Sequence, residues 1–376
     1  IVLRRSQISS SGGDVSLYGY GAANGSGFVN YDNTTIDSGT GQILINAKSA
    51  GIVAFLPGLH PASLPNAVFE LRSANTGVDA IRVITDAVAT NDPGAVIEGN
   101  FRILATAGGG VTLSGRAKAG VAGLQVGSQY GGGVMDALSS TGNINIDAGT
   151  NSISFQNAAS AIYLGSKTGS AVTSATGNIV MTADSLSLAN ALTYANTTGT
   201  LTIAPTSASF SSAVNSTGWV LGTGLSALTV GKTTNTANIT WASSNTVNGP
   251  ITIYGGNITL GSAIGTTNTS TDTIALEMIL SGNRTFAAGT RHNLIVTGII
   301  SEDATSRSLT KAGAGTVTLQ GANTFTGSIQ INEATLTLSG PNGSANLASG
   351  VTIAGGTLNL TNTSVNNNAD RVKDTG

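Results

Sequence analysis

Apolar residues recur at every second position of this chain in short runs, and Gly, Asn or Pro cuts off each run. The clearest stretch is 308–340. It holds alternating segments Thr316–Leu319, Ser328–Ile331 and Thr335–Leu338, separated by Gly321, Asn323, Gly327 and Asn332. A period of two puts apolar side chains on one face of a strand and Thr or Gln on the other. Strands of four residues bury too little alone and need neighbours stacked on both sides. The pattern predicts an array, and the rest of the chain supplies one.

Alternation begins at Asp14–Tyr18 and Gln42–Ala47 and resumes at Val96–Glu98, Phe101–Ala105 and Val111–Ser114. It continues through Asn143–Asp147, Ser152–Phe155, Ala161–Leu164, Asn178–Met181, Leu186–Leu188 and Thr200–Ala204. Further segments are Leu228–Val230, Asn238–Trp241, Ile251–Tyr254, Ile258–Leu260, Ile274–Leu280, Leu294–Ile300, Val351–Ile353 and Thr357–Leu360. The pattern breaks at 57–66, where Pro57, Pro61 and Pro65 remove backbone donors that a central ladder needs. The span 57–93 is therefore expected to be an insertion or side loop. Within it Val78–Asp86 reads as a strand because β-branched residues dominate.

Lys311-Ala-Gly-Ala-Gly-Thr-Val-Thr-Leu-Gln-Gly-Ala-Asn-Thr-Phe-Thr-Gly327 resembles the autotransporter-associated β-strand repeat of large bacterial secreted passengers. Val317 and Phe325 stand where Leu and Tyr are usual. Gly249–Leu260, Thr141–Gly149 and Thr176–Asp184 resemble the repeats of filamentous-haemagglutinin-like exported proteins. These resemblances imply an all-β fold, a right-handed parallel β-helix (solenoid) rod of short irregular coils. Periodicity by itself gives only many short strands. The expected organisation is one continuous solenoid segment over 1–376, with haemagglutinin-like coils at 141–265 and the autotransporter-type repeat at 308–340. Tandem immunoglobulin-like domains would repeat every ~100 residues with aromatic core markers, and no such period is present. A coil of about 20 residues fits the Gly and Asn punctuation better.

Composition narrows the function classes. Charged residues make up 9% of the chain against about 25% in an ordinary globular domain. The exterior must then be covered by Ser, Thr, Asn and Gln. Apolar residues at 40%, in regular alternation, argue against disorder despite 51 glycines. The net charge is −2 and no basic run exceeds Arg4-Arg5, which leaves nothing to neutralise a nucleic-acid backbone. The lack of cysteine suits passage through an oxidising periplasm. No apolar run approaches the ~18 residues of a membrane helix. The opening Ile-Val-Leu-Arg-Arg and the ending Asp370–Gly376 suggest an internal segment of something longer.

Candidate chemistry is sparse. Gly222-Thr-Gly224-Leu-Ser-Ala227 matches a dinucleotide fingerprint, but a strand and not a helix is expected after it. Gly231-Lys-Thr233 copies only the end of a phosphate loop. Polysaccharide-cleaving β-helices gather Asp, Lys and Arg from adjacent coils on one face. The groupings available are Glu302-Asp303 with Arg307, expected as a solvated loop, and Asp79, Arg82 and Asp86. His60 and His292 stand far apart and read as loop residues. Trp241 ends an apolar strand and reads as core; Trp219 and Trp241 are the candidate sugar-stacking platforms. Thr316-Val-Thr318, Thr324-Phe-Thr326 and Thr335-Leu-Thr337 would bind ice if aligned, but coil length is expected to vary too much.

The expectation is a non-enzymatic secreted protein of the bacterial cell surface or extracellular space, an adhesin or fibre and biofilm-matrix component. No catalytic, cofactor or metal site is assigned. Expected partners are further copies stacked end to end, the outer-membrane secretion machinery, and host, neighbouring-cell or abiotic surfaces, but no nucleic acid. Uncapped strand edges favour such stacking. The alternative is a β-helical polysaccharide-active enzyme or a carbohydrate-binding rod.

Overall fold

The computed structural model describes residues 1–373 other than 24, 52, 60–66, 88–90, 129–131, 188–191, 244, 250, 261–263, 267–270, 275, 276, 281, 291 and 366. Among the described residues there is no helix. The described residues form thirty-eight strands of two to twelve residues, and their pairs are parallel. Their stacked ladders form a parallel β-solenoid. The chain divides into two compact units, Ile1–Leu225 and Ser226–Gly376.

In the first unit each coil contributes three faces in turn. The first face stacks Val2–Arg4, Phe28–Tyr31, Phe55–Leu59, Ala95–Ile97 and Ala122–Val126. The second stacks Gln7–Ser9, Thr34–Asp37, Val68–Ser73, Asn100–Ala105, Val134–Ser139, Ala161–Gly165, Leu192–Asn196 and Trp219–Leu221. The third runs from Val15–Gly21 through Ile43–Ser49, Ile81–Ala87 and Val111–Ala117 to later coils. The strand Ile144–Phe155 serves two faces, pairing with Val111–Ala117 at its start and Ala122–Val126 at its end.

Alternation decides what is buried. In Ile43–Ser49 the apolar Ile43, Ile45 and Ala47 are shielded, whereas Lys48 faces out. Phe28, Phe55, Phe69 and Phe101 come from two faces and meet at the centre, all with no exposed surface. Their ring centroids lie 5.2 to 6.3 Å apart. Such spacings fall in the favourable range for aromatic pairs.

One of these rings, Phe69, lies inside the span 57–93, and this corrects its reading as an insertion or side loop. Val68–Ser73 and Ile81–Ala87 are ladder strands with a neighbour on each side. Pro57 is tolerated because the register jumps there: Val29 faces Leu56 and Tyr31 faces Leu59, a bulge that needs no ladder donor from proline. Pro61 and Pro65 lie outside the described residues.

Most coils are longer in the first unit than in the second. On the second face, in-register partners are 26 to 35 positions apart, from Tyr194 with Val220 to Thr35 with Glu70. In the second unit the steps shrink to between 19, as for Thr316 with Thr335, and 25, as for Arg284 with Leu309. The expected 20-residue coil is approached throughout the second unit and at the step from Ile179 to Leu201, 22 positions, in the first. Two runs expected as single strands also divide there. Thr271–Ile274 and Glu277–Leu280 join different ladders, as do Asn293–Val296 and Ile300–Glu302. An apolar run that turns a corner keeps its alternation, so sequence alone hides the turn.

The Thr-Gly-Asn motifs are corners. Asn143 Oδ1 accepts from the Asn178 backbone N–H at 3.0 Å, and Asn178 Oδ1 accepts from that of Thr200 at 2.9 Å. Each side chain thus satisfies the first donor of the coil above it. Gly177 sits so close to the coil below that a Cβ would come within 1.9 Å of the Gly142 carbonyl oxygen.

Candidate ligand groove

The outward residues of the second face form one column across eight coils: Gln7, Thr35, Glu70, Arg102, Asp136, Tyr163, Tyr194 and Val220. Its middle is ionic. Arg72 donates to Glu70 Oε1 at 2.8 and 3.1 Å, and Arg102 lies 4.0 Å from Glu70 and 3.6 Å from Asp136. Lys167 donates to both oxygens of Asp136, at 2.8 and 3.0 Å. Its later part is aromatic. Tyr163 and Tyr194 stack at 4.5 Å with their planes 1° apart, and the Lys167 ammonium sits 3.9 Å from the Tyr163 centroid.

Lys167 belongs to a strap, residues 166–175, that leaves the strand Ala161–Gly165 and folds over this face. Val172 buries itself on Leu104 and Leu138, two residues that would otherwise point to water. Ser170 closes the strap on itself, accepting from Val172 N and donating to the carbonyls of Lys167 and Val172. This covering explains why Asp136 is only 2% exposed despite its outward register. Burial pushes the Tyr163 phenol above its ordinary value, and Tyr194 and Asp136 add to the shift. The strap leaves a hollow of about 150 Å³ beside the ionic residues and one of about 390 Å³ beside the tyrosines.

None of these residues was a candidate in the sequence. The signal was present as a charged or aromatic residue at the centre of consecutive second-face strands. Irregular steps of 32, 34, 27 and 31 positions kept it from standing out.

The sequence candidates fall elsewhere. Trp219 and Trp241 are 2% and 1% exposed, so neither is a platform. Asp86 faces Lys48 at 3.9 Å, Arg82 stands between Leu44 and Thr112, and Asp79 lies in the preceding turn. His292 lies outside the strands, as expected of a loop residue, and is buried at a corner where its carbonyl accepts from Thr316 N. His60 lies outside the described residues. Strand Ala227–Val230 follows the Gly222–Ala227 fingerprint directly, with no helix for a pyrophosphate. Lys232 of the Gly231-Lys-Thr233 fragment lies in the turn after that strand. Threonines do align in register, Thr229 with Thr252 and Thr273, and Thr316 with Thr335 and Thr357, against the expectation. Thr318 and Thr337 are nevertheless buried, so no flat open array results.

Glu302, Asp303 and Arg307 do meet. Arg307 forks onto Asp303 at 2.7 and 2.9 Å. Burial raises the Glu302 carboxyl, but bonds from Thr326 Oγ1 and the backbone N–H groups of Thr326, Arg307 and Gly327 outweigh it, so the net shift is downward. The Arg307 bond and the Thr305 N–H also hold Asp303 down. Both groups bind protons more weakly folded than unfolded, so their stabilisation is complete above about pH 4.5 and disappears as pH falls through the lowered values. The melting temperature of the second unit should therefore fall on acidification below that point. Glu302→Gln should fall less between pH 7 and pH 3; an equal fall would refute the assignment.

The fold defines the class of protein, a parallel β-solenoid carrying a strapped ionic and aromatic column on one face. Residues 309–338 match the family model of the passenger-associated-transport-repeat. An autotransporter-passenger type of repeat is consistent with a secreted surface protein. No curated protein and no solved structure matches the chain.

The matched residues build a coil. Lys311, 1% exposed, donates to the carbonyls of Ala312, Gly313 and Glu333. Asn323 accepts from Ile300 N at 2.9 Å and donates to the Ser344 carbonyl at 2.7 Å, tying three coils together. Phe325 fills the core. Gly327 must lack a side chain, because a Cβ would come within 2.2 Å of Arg307 backbone atoms. The repeat specifies the scaffold, and the groove lies on other residues.

Proposed function

We propose that this chain is a non-enzymatic, adhesive segment of an exported bacterial surface protein, of the autotransporter-passenger and filamentous-haemagglutinin-like type. The repeat supports export and the solenoid supports an extracellular display role. The observation that carries adhesion is the second-face column, an outward-facing array held rigid by ladder register and by the strap. Rigid side-chain arrays on regular elements lose little entropy on contact. Its acids each meet a cation, an arrangement suited to recognition, whereas a glycosidase needs two carboxyls free to act as acid and base.

The test is retention of the purified chain on host cells, bacterial cells and abiotic surfaces. Saturable retention without depolymerisation of polysaccharides is expected. Failure to saturate on any surface overturns adhesion. Polysaccharide cleavage that is lost in Asp136→Asn overturns the non-enzymatic reading and favours the polysaccharide-active alternative.

A further inference from the structure

We propose that the hollow beside Tyr163 and Tyr194 binds a neutral saccharide unit of a surface glycan, an inference that rests on the adhesive reading above. Its volume of about 390 Å³ falls within the range of small-molecule sites. The lining combines the two tyrosines and Val220 with Ser166, Thr168 and Asn196.

Each part of the lining has a counterpart in a sugar. Tyr163 already has both flanks engaged, by Lys167 and by Tyr194. Tyr194 has Tyr163 on one side and, in register on the other, Val220, which is 43% exposed and shares the hollow. With the ring faces flanked in this way, the tyrosines and Val220 offer the weakly positive C–H face of a pyranose a wall of ring edges and methyl groups. The polar rim suits hydroxyl groups. Asn196 donates to Ser166 Oγ at 2.8 Å, and its Oδ1 lies against Gly222, where a Cβ would come within 2.6 Å of it. Gly222 thus keeps the floor of the hollow low.

Charge argues for a neutral ligand. Lys167 is committed to both oxygens of Asp136, Arg102 to Glu70 and Asp136, and Arg72 to Glu70. Recruiting any of these cations to an anion would break a pair whose other member is shielded, most severely at Asp136, which is 2% exposed. Asn196 and Ser166 bond each other, and a purely apolar ligand would strip water from the hydrogen-bonding capacity that the rim has left over. A pyranose, apolar on its faces and polar at its edge, meets both demands.

The experiment titrates the whole chain with neutral oligosaccharides of N-acetylglucosamine, glucose and mannose, and with sialylated and uronate-containing oligosaccharides, by calorimetry. At least one neutral probe should bind. Tyr194→Ala and Val220→Arg should each weaken it about tenfold or more, whereas Tyr194→Phe should stay within about threefold. Val220 is half-exposed, so its replacement tests the site even if Tyr194→Ala misfolds. Binding by no neutral probe, binding by the acidic probes alone, or affinity unchanged in Val220→Arg overturns the proposal. Adherence measured on the same proteins separates the two readings. A wild-type chain that adheres yet binds no sugar sinks only this inference, and one that does not adhere sinks the adhesive reading itself.

Discussion

Phe69→Ala should destabilise the first unit by about 3–5 kcal/mol, the usual cost of deleting a buried aromatic ring. Phe69 has no exposed surface, stacks on Phe101 at 5.4 Å and 10°, and also touches Phe28 and Phe55. The coil above and the coil below are held by ladder bonds, so neither can settle into the space left behind. Part of the cost is therefore an unfilled cavity. Val78 supplies the control, since it lies in the same part of the chain but is 86% exposed. Val78→Ala should change stability by no more than about 0.5 kcal/mol. Urea titration followed by circular dichroism reads both. Were 57–93 a side loop, the two substitutions would be equally mild. A deficit for Phe69→Ala below about 1 kcal/mol would show that its ring is not part of the core.

The same residues show what the sequence made legible. Alternation located many strands, such as Asn100–Ala105, Thr200–Ala204 and Thr316–Leu319, to within a residue or two, because every inward side chain must be apolar and every outward one need not be. It passed over Thr34–Asp37, Val68–Ser73 and Leu192–Asn196. Stacking was legible too, since strands this short require it. Face and register were not. Which side of a triangular coil a strand occupies depends on corner geometry, and the steps in the first unit, from 22 positions for Ile179 with Leu201 to 40 for Phe55 with Ala95, vary with loop length. Glu70, Arg102 and Asp136 become neighbours only after register is fixed. The prolines at 57–65 misled because a bulge can absorb one without ending the ladder. The real covering segment, 166–175, reads in sequence as an ordinary Gly, Ser and Thr loop. Its single apolar anchor, Val172, has meaning only once Leu104 and Leu138 are found uncovered beneath it. Trp241 read correctly as core, whereas Trp219 as a sugar platform misled in the opposite sense, since in a chain with few aromatics the largest were needed inside.

Lys311→Met should destabilise the second unit by about 1–3 kcal/mol, with a pH signature that identifies the cause. Met keeps the length and most of the volume of the lysine stem, so packing is largely conserved. What disappears is the donor set that serves the carbonyls of Ala312, Gly313 and Glu333 at 2.8, 2.6 and 3.1 Å. Removing a shielded cation also relieves a desolvation cost, which holds the expected loss below that of three orphaned acceptors. Burial pushes the Lys311 ammonium below its ordinary 10.5, and the Glu333 carboxylate pushes part of the way back. Between the lowered value and 10.5 the unfolded chain binds this proton more tightly than the folded one, so raising pH through that interval stabilises the native state. The neutral amine still donates two hydrogen bonds. The gap between wild type and Lys311→Met should therefore widen as pH approaches 10.5, which paired denaturant titrations at successive pH values will show. A gap that narrows over that range would mean that the carbonyls favour the ammonium more than burial disfavours it. No gap at any pH would mean that water replaces the lysine in the corner.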